Sequence, residues 1–136
     1  MSAGRILLVE DEPNMRELVA ARLEQNGYEV ATAADGYQAL ARARDFSPDL
    51  VILDLMIPKL DGYTVCYLLR SGPSSSVPII MLTARSAPED VQRGMDTGAS
   101  AYLLKPVDPA VLLAKIEELL KAKTAPPPPA EEKKPS

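Results

Sequence analysis

Leu50-Val51-Ile52-Leu53-Asp54-Leu55-Met56-Ile57-Pro58-Lys59-Leu60-Asp61-Gly62 is the stretch on which the fold turns. Four apolar residues lead straight into an aspartate, and Pro58 with Asp61-Gly62 turns the chain soon afterwards. An unbroken apolar run of that length suits a strand covered on both faces of a parallel sheet. Asp54 then stands where the strand ends and the chain emerges, the edge at which open α/β sheets place their chemistry. A carboxylate there is a nucleophile, a metal ligand or a helix cap.

Working outward, Arg5–Val9 is a second apolar strand, and it too ends in acids, Glu10, Asp11 and Glu12. Pro13 opens a helix at a position where its missing N–H is harmless. Met15, Leu18, Val19 and Leu23 fall on one face of that helix, which Asn26-Gly27 stops. Residues 28–33 form a more mixed strand that reads as a sheet edge, and Asp35-Gly36 leads into a second helix carrying Ala39, Leu40 and Ala43. After Gly62 a third helix runs to about Arg70 with Val65, Cys66 and Leu69 inward, and 71–76 is a Gly/Pro/Ser loop. A fully apolar strand, 78–82, ends in Thr83, and 88–95 forms a short helix that Gly98 breaks. The last strand, Ala101–Leu104, ends at Lys105-Pro106, and Asp108-Pro109 starts a helix with Leu112, Ile116, Leu119 and Leu120 on one face.

Five strands alternating with five helices make an α/β fold with a parallel sheet covered on both sides. The all-apolar strands belong at its centre, the mixed second strand and the short fifth at its edges. Right-handed crossovers then give a flavodoxin-like, doubly wound sheet of order 2-1-3-4-5. Its switch point lies between strands one and three, which deliver Asp11 and Asp54.

The chain of 136 residues reads as one folded domain, 1–123, followed by a Pro-rich tail, 124–136 (TAPPPPAEEKKPS), expected to be extended and disordered. A net charge of -4 argues against gripping nucleic acid or an anionic membrane through bulk charge. The absence of histidine removes the commonest general base, the commonest metal ligand and every Ser-His or Cys-His nucleophile. The lone Cys66 has no partner for an internal disulfide and reads as a small core filler, which suits a cytoplasmic setting. Residues 1–4 are too short for a signal peptide, and Asp54 interrupts the longest apolar region, so no membrane segment is expected.

The residues that follow the strands are Glu10 and Asp11, then Asp54, Thr83 and Lys105, and this fold brings them to one rim. Taken singly they have plainer readings: Asp11 as a helix-start acid, Asp61 as a turn residue, Lys105 as a surface lysine with a solvated head. Their coincidence at four strand ends carries the argument. Crowded carboxylates repel one another and favour a cation among them. With oxygen ligands alone a hard ion such as Mg²⁺ fits better than zinc. Lys105 adds a fixed positive charge and Thr83 a hydroxyl donor, together a clamp for a transferring phosphoryl group with Asp54 as its nucleophile. A Rossmann domain needs glycines after the first strand, where this chain has Glu10-Asp11-Glu12-Pro13. A haloacid-dehalogenase-type phosphatase needs a second aspartate where Met56 stands.

From Arg5 to about Lys121 the sequence resembles the receiver domain of bacterial two-component response regulators. The resemblance rests on Leu8-Val9-Glu10-Asp11-Glu12, Asp54-Leu55-Met56-Ile57-Pro58 with Asp61-Gly62, Thr83-Ala84 and Lys105-Pro106. It implies Asp54 as phosphoacceptor and Glu10, Asp11, Asp54 and the Met56 backbone carbonyl as the Mg²⁺ pocket. It also implies Thr83 and Lys105 on the phosphoryl oxygens, Tyr102 as an aromatic switch alongside Thr83, and a cis bond before Pro106. The chain would then be no enzyme beyond its own phosphorylation and dephosphorylation. A sensor histidine kinase or histidine phosphotransfer protein would be its donor, and a downstream output protein would read the surface of helix four, strand five and helix five. Direct DNA binding is not expected. A phosphorylation-dependent homodimer is a further expectation, although 98–102 lacks the acidic pair and the last helix the basic pattern that dimerising receivers carry. Glu10 stands where aspartate is commoner. The competing reading is a pseudo-receiver scaffold that binds proteins without being phosphorylated.

Overall fold

The computed structural model describes residues 3–72 and 75–124. Five strands, β1 (Arg5–Val9), β2 (Glu29–Ala33), β3 (Leu50–Leu53), β4 (Ile79–Thr83) and β5 (Ala101–Leu104), alternate with five helices. The helices are α1 (Pro13–Gln25), α2 (Gly36–Phe46), α3 (Gly62–Ser71), α4 (Pro88–Thr97) and α5 (Pro109–Thr124). All strand pairs are parallel, in the order β2-β1-β3-β4-β5. The expected topology is the observed one.

The apolar runs are explained by two cores, one on each face. Successive strand residues point to opposite sides. Leu7, Val9, Val51, Leu53, Ile79 and Met81 pack under α2 and α3 with Ala39, Ala43, Val65, Cys66 and Leu69. Ile6, Leu8, Leu50, Ile52, Ile80 and Leu82 pack on the other side against Leu23, Leu112 and Ile116 of α1 and α5. A central strand therefore has no solvated face and holds polar residues only at its ends, Arg5 in β1 and Thr83 in β4, whereas edge strands β2 and β5 are only partly covered.

Two expectations need adjusting. Val19 and Leu23 reach the sheet, but Met15 and Leu18 are left 37% and 59% exposed. The first turns of α1 overhang the end of the sheet and face an open groove toward α5 rather than a core. Thr83 is the last residue of β4, not the first beyond it, and α5 reaches Thr124, so its end overlaps the start of the expected tail. The rest of that tail lies outside the described residues.

The rim of the sheet is held by caps. Asp35 accepts from the Gln38 N–H at the start of α2, a bond that keeps its carboxyl below its ordinary range, with Lys59 adding to the effect. Gly98, with φ of 119°, closes α4 in the left-handed region, and a side chain there would strike Arg70. Arg70 in turn holds the Gly98 and Val77 carbonyls and the Ser100 hydroxyl, lacing α3 to the loops around β4 and β5.

Candidate functional site

Register brings the acids together. Val9 lies opposite Leu53 across β1 and β3, so the next residues, Glu10 and Asp54, emerge side by side, and the Asp54 N–H donates to the Val9 carbonyl. Carboxylate oxygens of Glu10, Asp11 and Asp54 all lie within 4.8 Å of one another. Glu10 and Asp54 are buried at 5% and 6% exposure, while Asp11 faces solvent. The helix-start role that could have explained Asp11 belongs to its neighbour. Glu12 caps α1, accepting from the Met15 N–H at 2.6 Å.

Lys105 reaches this cluster from the end of β5. Thr83 pairs with Leu104, the Lys105 N–H donates to the Thr83 carbonyl, and the bond to Pro106 is cis, as the resemblance implies. Its Nζ lies 2.6 Å from both Glu10 Oε1 and Asp54 Oδ2. Burial of the ammonium lowers its pKa, but the two hydrogen bonds outweigh that, and the net value is raised. Asp54 Oδ1 accepts from the Met56 N–H at 3.0 Å, which fixes the carboxylate against its own loop. The Met56 side chain is 56% exposed and flanks the opening.

Three carboxylates with two buried are a hard-oxygen donor set, the kind that Mg²⁺ takes while keeping waters. The residues fit such an ion: Asp11 would be its exposed ligand, with Glu10 and Asp54 beneath. Lys105 supplies a positive charge that offsets part of that of the two buried carboxylates.

The loop carrying Asp54 is shut tightly against α3. Asp61 caps α3, and the Gly62 N–H donates to the Leu55 carbonyl at 3.0 Å. A Cβ on Gly62 would come within 2.6 Å of Leu55 Cα and 2.7 Å of the Asp54 carbonyl oxygen. These are backbone atoms that cannot step aside. Gly62→Ala is expected to destabilise the domain by about 3 kcal/mol, the upper end for overpacking, or roughly 10 °C in Tm. Gly72→Ala, which meets only the Leu68 carbonyl at 3.5 Å, should be close to neutral in the same thermal melts.

Thr83 is completely buried, and its hydroxyl accepts a long bond, 3.4 Å, from the Arg85 N–H, which leaves it easy to redirect. Tyr102 packs inward against Met81 and the bare backbone of Gly94, where a Cβ would lie 2.9 Å from its ring. Its hydroxyl donates to the Arg85 carbonyl at 2.8 Å. Burial first, with Tyr63 and Asp90 nearby, pushes the Tyr102 phenol up to about 12. The sequence-predicted residues thus fall into a rim of Glu10, Asp11, Asp54 and Lys105 and a second layer of Thr83 and Tyr102, joined through the loop at Arg85.

Sequence reading missed Tyr63. It is 6% exposed and donates to the Asp90 carbonyl at 3.0 Å and to Asp90 Oδ1 at 3.3 Å. Its spacing of three from Cys66 places it on the buried stripe of α3, which was the available signal.

The family model for the response regulator receiver domain matches residues 6–117. The DNA-binding dual master transcriptional regulator RpaA of Synechocystis is 44% identical over 118 residues, covering 86% of this chain and 49% of RpaA. The DNA-binding response regulator MtrA of Mycolicibacterium smegmatis is 43% identical over 117 residues, 86% of this chain and 50% of MtrA. The chain spans about half the length of these curated relatives. Among solved structures, the chemotaxis response regulator CheY4 of Vibrio cholerae superposes with a TM-score of 0.80 at 36% identity, covering 88% of this chain and 98% of CheY4. The BeF3-activated N-terminal receiver domain of RstA from Klebsiella pneumoniae gives 0.82 at 37%, covering 86% and 98%. With the order of its sheet, its acidic rim and these matches in agreement, the chain belongs to the receiver domains of two-component response regulators.

Proposed function

We propose that Asp54 is the phosphoacceptor of this receiver and that Lys105, Thr83 and an acidic pocket of Glu10, Asp11, Asp54 and the Met56 carbonyl serve its phosphorylation. The observation that carries the reading is the single ammonium of Lys105 seated 2.6 Å from both Asp54 and Glu10. A fixed cation beside a buried, strand-end carboxylate suits developing phosphoryl charge better than it suits a structural ion pair. A carboxylate oxygen of Asp54 attacks phosphorus, and the bond from phosphorus to the donor breaks with its electron pair staying on the leaving nitrogen or oxygen. Met56 N–H holds Asp54 in place, Lys105 neutralises the incoming charge, and Thr83 turns its hydroxyl from Arg85 toward the new oxygens. Mg²⁺, when bound, spreads the negative charge of the transferring group.

The same reading makes a histidine kinase or histidine phosphotransfer protein the donor and a separate protein or an attached module the output. It also sets the chain in the cytoplasm, with 1–123 as the receiver and 124–136 as a tail. No helix among the described residues is long and apolar enough to cross a membrane. A protein donor has to approach over the rim. The apolar surface that adjoins it is the groove of Leu18, Val19, Pro106, Leu112 and Leu113, which shares Lys105 with the site. Leu18→Lys is expected to slow transfer from a phosphohistidine protein about tenfold, on the scale of one buried apolar anchor, while leaving labelling by a small acyl phosphate unchanged. Equal slowing of both would move the docking surface elsewhere.

The decisive experiment exposes the protein to a small acyl phosphate with Mg²⁺ and follows intact mass. One phosphoryl group, acid-stable and base-labile, is expected, and chelation of the metal should suppress it. No adduct with any donor, on a folded protein, would leave the scaffold reading in its place.

A further inference from the structure

We propose that Tyr63 is a positioning residue for the switch: fixed to Asp90, its hydroxyl holds α4 and the Arg85 loop where Tyr102 is received, and so ties the inward Tyr102 to the loop that carries Asp54. The inference rests on the reading that Tyr102 responds to the state of Asp54.

The chain of contacts is continuous. Gly62 is pressed on the Asp54 carbonyl and Leu55, so the next residue, Tyr63, takes its place from the phosphoacceptor loop. The Tyr63 hydroxyl then reaches across to α4, bonding both the carbonyl and Oδ1 of Asp90. Asp90 Oδ1 also holds Arg85 Nη1 at 3.4 Å, and the Arg85 carbonyl receives the Tyr102 hydroxyl at 2.8 Å. From the other side the Arg93 guanidinium lies 4.1 Å over the Tyr63 ring, a cation–π contact that fixes the ring against α4. Burial pushes the Tyr63 phenol up, with Asp90 adding to it, so the hydroxyl remains a donor throughout the physiological range. Thr83 is linked to Tyr102 through Arg85, whose N–H donates to the Thr83 hydroxyl and whose carbonyl receives the Tyr102 hydroxyl. Tyr63 is a second connection, made through α3 and α4, and it is satisfied with Tyr102 already inward. A contact that exists only in one of two states raises the population of that state, and whatever binds that state gains the same factor in affinity.

Tyr63→Phe keeps the ring, its burial and the Arg93 contact and deletes only the hydroxyl. The test uses ring-labelled tyrosine NMR of the unphosphorylated chain, with the Tyr102 signal identified through Tyr102→Phe, and titration with beryllofluoride in Mg²⁺. Tyr63→Phe is expected to shift the Tyr102 signal toward those of the exposed Tyr37 and Tyr67. It should also weaken beryllofluoride about three- to tenfold, the range that one hydrogen bond supplies. Asp90→Ala should act in the same direction, and Tyr37→Phe and Tyr67→Phe should do neither. An unmoved Tyr102 signal in both Tyr63→Phe and Asp90→Ala overturns the proposal. A moved Tyr102 signal with unchanged or tighter beryllofluoride upholds the tether and breaks its link to Asp54. If the wild type itself ignores beryllofluoride, the phosphoacceptor reading fails, and the Tyr102 signal still decides the role of Tyr63.

Discussion

Asp54→Asn is expected to abolish the phosphoryl adduct completely while leaving the domain folded. The amide keeps an oxygen that can accept the Met56 N–H, so the loop retains the bond that places residue 54. It lacks the charge and nucleophilicity needed to displace a leaving group from phosphorus. Stability should change by no more than about 1 kcal/mol, because two opposing terms nearly cancel. One bond from Lys105 loses its ionic partner, and one of three crowded carboxylates loses its charge. Intact mass and a thermal melt on the same sample separate the cases. An adduct that persists on Asp54→Asn would mean that another acid, Glu10 or Asp11, receives the group. An adduct lost together with the melting transition would say nothing of chemistry and only that residue 54 is structural.

The fold and the rim were legible in the sequence for a common reason. Both depend on the residues at the ends of apolar strands, and strand length and burial are written locally. The apolar runs at β1, β3 and β4 have to be buried on two faces, which makes them central, and right-handed crossovers then order the sheet. What stayed hidden depends on residues far apart in the chain. The Lys105–Glu10 contact joins positions 95 apart, and the Tyr63–Asp90 bond joins positions 27 apart. Helical spacing grouped Met15 and Leu18 with Val19 and Leu23 correctly as a face, but no periodicity says how far the sheet beneath extends. Likewise the sequence offered Asp11 as a helix-start acid, whereas the side chain that accepts the Met15 N–H is that of Glu12.

Lys105→Met should have the widest consequences of any single change at the rim. Methionine keeps much of the apolar stem, so the loss is confined to the ammonium. Glu10 and Asp54 are then left as neighbouring buried carboxylates with no cation between them. Breaking a fully enclosed pair costs about 3–5 kcal/mol, but Lys105 retains some access to solvent, so about 1–3 kcal/mol is expected. The dependence on pH identifies the cause. The Lys105 pKa in the folded chain is raised above its ordinary 10.5, so its contribution is complete below 10.5 and is lost as pH climbs through the higher folded-state value. The wild type should therefore lose stability in strongly alkaline solution by a step that Lys105→Met lacks. Mg²⁺ supplies the second signature. In the wild type the ammonium already offsets part of the pocket's negative charge and opposes a second cation, whereas the variant leaves all three carboxylates uncompensated. Added Mg²⁺ should raise the Tm of Lys105→Met more than that of the wild type, since stabilisation grows with the tightness of binding to the folded state. Phosphorylation should move the opposite way, slowing on the order of a hundredfold, because the metal can replace the charge of Lys105 but not its directed donor. Thermal melts across Mg²⁺ concentration, paired with labelling rates, give both quantities from one preparation. Equal Mg²⁺ responses in the two proteins would place the ion away from Glu10 and Asp54. Unchanged labelling would reduce Lys105 to a counterion for the pocket.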